Sequence, residues 1–299
     1  MQNSQKRFLR LIESVQSAYR MAVYNALRSQ INYFADNYAE GITVTELPKA
    51  PMNKALRALY ESAGLQNAMY VRQQIKRQLR KAAPNDPIDK LRWMTNEYYR
   101  QNLLSQAVTP ITNTTKRQIE MVLQQANAEG WGVKKTVTAL KSSDITKQRA
   151  ELILRTETMK AANAGAMLAA AEMDIVVQKK WISAQDNRTR RLGRDQYDHL
   201  HMNDREVGYD QPFIVPSTKS IDAMQYPGDP EASAGNVCGC RCTVAFAPIR
   251  DGAGNVVQMS RVMPTAGNQF LRIAMMAASF SVSNLLINDL ISTIENDNF

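Results

Sequence analysis

The chain has 299 residues, 44% of them hydrophobic, which is enough apolar material for a sizeable core and for two domains or one domain with extensions. Its formal net charge is +9, and residues 1–100 hold 16 Lys and Arg against 8 Asp and Glu, whereas the remainder holds 21 against 20. Three cysteines, all within Cys238–Cys242, exclude a disulfide framework and fit synthesis in a reducing cytoplasm.

The positive field therefore belongs to the first third of the chain, where it suits nucleic acid or an acidic protein surface without choosing between them. Lys6, Arg7 and Arg10 are followed by no uninterrupted apolar run, so export by the general secretory route is not expected. Ile273–Ile287 is shorter than a spanning helix and carries Ser279, Ser281, Ser283 and Asn284. It reads as a packed helix, with no stable membrane insertion.

From Lys6 to about Tyr38, Phe8, Leu11, Ile12, Val15, Tyr19, Ala22, Val23 and Ala26 recur at three- and four-residue steps, the period of a long amphipathic helix. Gly41–Pro51 reads as a connector. Helical periodicity resumes over Ala55–Lys81, breaks at Ala83–Pro87, and returns from Ile88 to about Leu104. Within the second helix Arg72, Lys76 and Arg80 share a face with no acidic residue among them. That face is either a contact for DNA or an acidic partner, or, as the favoured reading, a solvated surface.

Thr109-Pro110 marks the start of a new unit: a helix from Thr112 to about Glu129, capped by Asn113 or Thr114 and stopped at Gly130-Trp131-Gly132. A short helix over Val133–Leu140 and a longer one from Ile145 to about Met173 follow. The latter contains Ala161-Ala162-Asn163-Ala164-Gly165-Ala166, whose small side chains allow a neighbouring backbone to come close. After Asp174 the texture changes. Ile175–Ile182 has strand composition, and short strands are expected at Glu206-Val207, Phe213–Val215 and Thr243–Phe246, with Asp251–Asn255 as a turn.

Several features then fall in a fixed order: Arg155-Thr156-Glu157 before the Ala/Gly run, Lys180-Trp181, Asp186 with Arg188, Thr189 and Arg190, His199, Phe213, Tyr226–Pro230, Asn236, and Cys240-Arg241-Cys242-Thr243. This ordered set resembles the phage head-morphogenesis family of minor head, or Mu F-like, proteins, most strongly from Thr112 to Phe246. The chain departs from the family pattern in having Gly239, where Asn usually precedes the Cys-Arg-Cys, and in the additional Cys238. The resemblance implies a low-copy virion component made in the host cytoplasm. Its implied partners are the portal and other head proteins, with packaged DNA as a further candidate, and its role is assembly, packaging or ejection rather than catalysis.

The same residues carry a chemical reading of their own. If their segments are extended, Cys238, Cys240 and Cys242 share one side, as do His199 and His201. Zinc held by His199, Cys240 and Cys242, with His201 and Cys238 as alternates, is one outcome. Buried free thiols with satisfied histidines and a disulfide are the others. Arg155 and Glu157, two apart on a helix, cannot face each other. They are expected to pair with the 186–191 loop, making Arg155, Glu157, Asp186 and Arg190 a structural network. The alternative function is a metal-dependent HNH-like nuclease built on Asp198-His199, although no histidine follows the cysteines. No P-loop pattern occurs, which argues against a packaging motor.

The expected fold is α+β: long N-terminal helices, a helical unit, a small antiparallel strand and loop region, and a C-terminal helix over Asn268–Ile294. The expected divisions are 1–108 for assembly and portal contact, 109–250 for the Mu F-like body, and 251–299 for the tail.

Overall fold

The computed structural model describes residues 2–40, 42–79, 88–142, 145–219 and 221–259, together with Phe270 and Ile273. Arg80, the Ala83–Pro87 break and most of Asn268–Ile294 lie outside the described residues.

The fold is α+β. Helix α1 (Gln2–Asn37) is followed by two single 3-10 turns and α2 (Ala50–Gln78), whose start is fixed by Pro51 in its first turn. Proline suits that position because its missing N–H would have no intrahelical partner there. Helix α3 (Ile88–Tyr98) runs through a π-turn over Tyr99–Leu103 into α4 (Leu104–Ala128). The extra residue per turn in a π segment shifts the helical register, and here both Tyr98 and Tyr99 are buried.

The expected helix start at residue 112 is corrected by this run, because α4 passes straight through Pro110 and neither Asn113 nor Thr114 is a cap. Pro110 and Gln106, the residue whose carbonyl loses its partner, are both exposed, so water can satisfy that carbonyl and the usual cost of an internal proline is reduced. The division at residue 108 falls inside this helix. At its far end Gly130 takes φ +63 and Trp131 N–H returns to the carbonyl of Ala126 at 2.8 Å, a glycine-dependent helix stop.

Helix α5 (Val133–Ser142) leads to α6 (Ile145–Ala171), which packs along α2 more extensively than any other two elements pack. The Ala/Gly run makes this possible. A Cβ added to Gly165 would lie 2.2 Å from the carbonyl oxygen of Gly64, and one added to Gly64 would lie 1.4 Å from the hydroxyl of Tyr99. Side chains from α1, α2, α3, α4 and α6 share one core with the strands. Fully buried members such as Leu56 and Leu59 contribute about 1.5–3 kcal/mol each relative to exposure. A smaller cluster of Ile31, Phe34, Leu47, Ile119 and Leu140 closes the end near α5.

The strands are β1 (Val177–Ile182), β2 (Glu206–Gly208), β3 (Phe213–Val215), β4 (Asp222–Met224) and β5 (Thr243–Pro248), with a four-residue helix α7 (Ala234–Val237) before β5. β1 is central in an antiparallel sheet of order β2-β1-β5, with Lys180 opposite both Glu206 and Ala245, while β3 and β4 form a separate hairpin. β1 alternates strictly. Val177, Lys179 and Trp181 are buried, and Gln178, Lys180 and Ile182 are half-buried on the other face. Asp251–Asn255 is the expected turn, closed by Asp251 N–H to the carbonyl of Asn255. No described helix is long and apolar enough to cross a membrane.

Candidate functional site

Asn163 is the junction between α6 and everything after β4. It is fully buried. Its amide nitrogen donates to the carbonyls of Pro227 (2.7 Å) and Cys242 (3.0 Å), and its amide oxygen accepts from the Thr243 hydroxyl (2.8 Å) and the Val244 N–H (3.4 Å). That uses both donors and both lone pairs of the side chain. Thr156, one turn away from Lys160 on the same helix, accepts the N–H of Gly239 at 2.9 Å. Gly239 has φ +69, a region that glycine enters most readily, and the chain turns there.

These two anchors set Cys240 and Cys242 at the mouth of β5, where both are buried. His199 arrives from the opposite direction, on the loop between β1 and β2, and is 1% exposed. Its Nδ1 lies 3.5 Å from Cys240 Sγ and 3.6 Å from Cys242 Sγ, and the three ligand atoms are all within 4.8 Å of one another. Trp181 packs edge-on against the imidazole at 5.3 Å.

The second ring nitrogen, Nε2, meets Asn236 Oδ1 at 2.5 Å, while Asn236 Nδ2 donates to Asp222 Oδ2 at 3.1 Å. A carboxylate can only accept, so the amide nitrogen of Asn236 must face Asp222 and its oxygen must face the histidine. Nε2 therefore carries the proton, and Nδ1 turns its lone pair toward the two sulfurs. Asp222 is itself held by the N–H (3.1 Å) and hydroxyl (2.6 Å) of Ser233. Burial works against its charge, but the hydrogen bonds from Ser233 and Asn236 keep its carboxyl below the usual range. Around the sulfurs, the hydrogen bond from Cys242 outweighs burial and pushes Cys240 below the ordinary thiol range, while burial pushes Cys242 up. A lone-pair nitrogen and two thiols in a sealed pocket can hold a soft or borderline metal ion.

The remaining expected residues are placed as follows. Cys238 is exposed and apart from the pair, since the chain turns at Gly239 rather than running extended. His201 is exposed too. Its N–H is held by Asp198 (2.8 Å) and its Nε2 faces Arg205 (2.8 Å). The expected network divides in two. Glu157 does not reach the 186–191 loop, because it is buried against Tyr60, whose hydroxyl donates to it at 2.5 Å, and Lys160 at 2.9 Å. Asp186 pairs with Arg241 and accepts the N–H of Arg188 (3.0 Å) and the Thr189 hydroxyl (3.1 Å). Burial opposes its charge, but Arg241 and these bonds hold its carboxyl low. Arg190 donates to the carbonyl of Cys238 at 2.5 Å, and among the described residues Arg155 joins neither group.

On the basic face of α2 the solvated reading is corrected at Arg72 and Lys76, while Arg80 lies outside the described residues. Arg72 and Lys76 are buried, and Arg72 pairs with Glu172 of α6 at 3.0 Å. These two residues therefore do not form a solvated surface, and the counter-charge of Arg72 comes from another helix. The nuclease alternative finds no support in the geometry: both ring nitrogens of His199 are engaged inside the layer, which leaves no accessible general base there.

The structural roles of Asn163, Thr156 and Asp222 were missed from the sequence. For Asn163 a signal existed, since an amide in the middle of an Ala/Gly helix face must find buried partners. Neither a curated protein nor a solved structure matches the chain. Residues 117–245 match the family model described as phage Mu protein F like protein. That segment begins within α4 and contains α5, α6, β1 to β4, the opening of β5 and the His199, Cys240 and Cys242 cluster, and over it the chain is similar to the Mu F-like head-morphogenesis family.

Proposed function

We propose that the chain is a minor head protein of a tailed bacteriophage, carried in the virion near the portal. There it supports head assembly, DNA packaging or ejection by binding rather than by catalysis. The observation that carries this reading is the family match over residues 117–245. The character of the matched segment agrees with it: Asn163, Glu157 and His199, its most conspicuous polar side chains, are buried and bonded to their own framework. Groups so engaged hold layers together and offer little to a substrate.

On this reading the partners are the portal and adjoining head proteins. The test is fractionation of purified particles into heads and tails, followed by mass spectrometry and localisation of the chain in a virion density map. The expected result is the chain in portal-bearing heads, and loss of full heads when its gene is deleted. Its presence on tail fibres, or its absence from particles, would overturn the proposal.

A further inference from the structure

We propose that His199 Nδ1, Cys240 Sγ and Cys242 Sγ bind one zinc ion, which cross-links the loop between β1 and β2 to the start of β5. The inference is independent of the head-protein reading.

The distances suit the ion. With zinc–sulfur and zinc–nitrogen bonds of about 2.3 and 2.05 Å at a tetrahedral angle, a ligating nitrogen and sulfur lie about 3.55 Å apart. Nδ1 lies 3.5 and 3.6 Å from the two sulfurs. The cysteines are free thiols rather than a disulfide.

The surroundings point the same way. Asn236, itself oriented by Asp222, accepts the hydrogen bond from Nε2–H and thereby leaves Nδ1 as the ligand atom. A hydrogen-bonded partner on the non-ligating nitrogen is the usual support of a metal-bound histidine. The sulfurs are met by N–H groups: Cys242 N–H lies 3.4 Å from Cys240 Sγ, and the Ala184 backbone and Trp181 indole donate toward Cys242. The Trp181 indole N–H is otherwise a buried donor without a conventional acceptor. Such donors stabilise sulfur that carries negative charge.

Charge balance completes the argument. Two bare thiolates could not be sustained in a site whose three residues are 1–3% exposed. Zinc with two thiolates and a neutral imidazole is uncharged, and the two protons displaced from the thiols go to solvent. Among the described residues no fourth His, Cys, Asp or Glu joins the three, so the fourth position falls to a water molecule. The ion would tie residues 41 apart in sequence, across a region otherwise held by short strands and turns.

The test uses the full chain, purified without a metal-binding tag and reconstituted with zinc. Elemental analysis should give about one zinc per chain, retained in Cys238→Ser and lost in Cys240→Ser and His199→Ala. Asn236→Ala should weaken zinc affinity by about 10–100-fold. Because the ligand variants can also misfold, cobalt is substituted into the unaltered chain, where tetrahedral visible bands and a thiolate-to-cobalt charge-transfer band are expected. Less than about 0.1 zinc per chain after reconstitution, cobalt bands without thiolate character, or a Cys240–Cys242 disulfide in freshly purified protein would each overturn the proposal.

Discussion

Replacing Asn163 by Ala should be among the most damaging single changes in this chain. The substitution strips partners from two buried carbonyls, those of Pro227 and Cys242, and from the Thr243 hydroxyl and the Val244 N–H. Each orphaned buried group costs about 1–3 kcal/mol. The Thr243 hydroxyl can rotate to another partner and the Val244 bond is long at 3.4 Å, so the carbonyls dominate and the total comes to about 4 kcal/mol. That is a large share of the roughly 5–15 kcal/mol that holds a typical domain together.

Urea denaturation should show the midpoint falling with the slope unchanged, as expected when stability alone is altered. Asn163→Asp makes the sharper comparison. It keeps the acceptors toward Thr243 and Val244 but points an oxygen at two carbonyl oxygens and buries a charge, so at pH 7 it should be worse than Ala. A loss below about 1 kcal/mol for the Ala variant, or an Asp variant milder than Ala, would refute the assignment of this amide as the junction of the fold.

Gly165→Ala should lower stability by about 1–3 kcal/mol through overpacking, read as a fall in Tm, because the added methyl would meet the Gly64 carbonyl and force α2 from α6. Tyr60→Phe should cost about 1.5–3 kcal/mol, the range for a hydrogen bond to a charged group, since its hydroxyl donates to the buried Glu157; an unchanged urea midpoint would count against it. Arg72→Ala should cost about 3 kcal/mol by leaving Glu172 buried without this partner, and should leave any salt-dependent DNA retention as it was. Lys179 is fully buried, donating to the Gln225 carbonyl and side chain, and burial lowers its pKa from 10.5 to about 7. Below pH 7 it is protonated in both states and its buried charge opposes folding. From pH 7 upward the unfolded chain keeps a proton that the folded chain has shed, so stability rises with pH, by about 3 kcal/mol between pH 7 and 9.5. Lys179→Met should flatten that rise, and an identical slope in both proteins would contradict the assignment.

Periodicity located α1, since of its apolar positions at three- and four-residue steps Phe8, Ile12, Val15, Val23 and Ala26 are buried, Leu11 and Tyr19 half-buried, and Ala22 alone exposed. The Ala161–Ala166 run announced a close approach and led to the Gly64 contact. The cluster of His199 with Cys240 and Cys242 was legible as residue types, but choosing them over His201 and Cys238 required the turn at Gly239. What stayed hidden depends on partners far away in the chain. Arg72 reads as an unopposed cation until Glu172, 100 residues on, is brought beside it, and Glu157 needed Tyr60 at a separation of 97. Pro110 misled because a proline in sequence says nothing about whether the carbonyl it orphans faces water. The strand Asp222–Met224 lacks β-branched residues and was invisible to composition.

The back-to-back glycines of α2 and α6 bear on how this protein can be handled. The family-matching segment contains α6 but not α2, so excising residues 117–245 would bare the apolar side of α6 that the missing helix covers. Such a fragment should be sticky and ill-formed however well its sequence aligns with a recognised module. An expression library or fusion partner designed around that segment should therefore begin upstream of Ala50, because α2, the helix packed most extensively on α6, lies outside the family match.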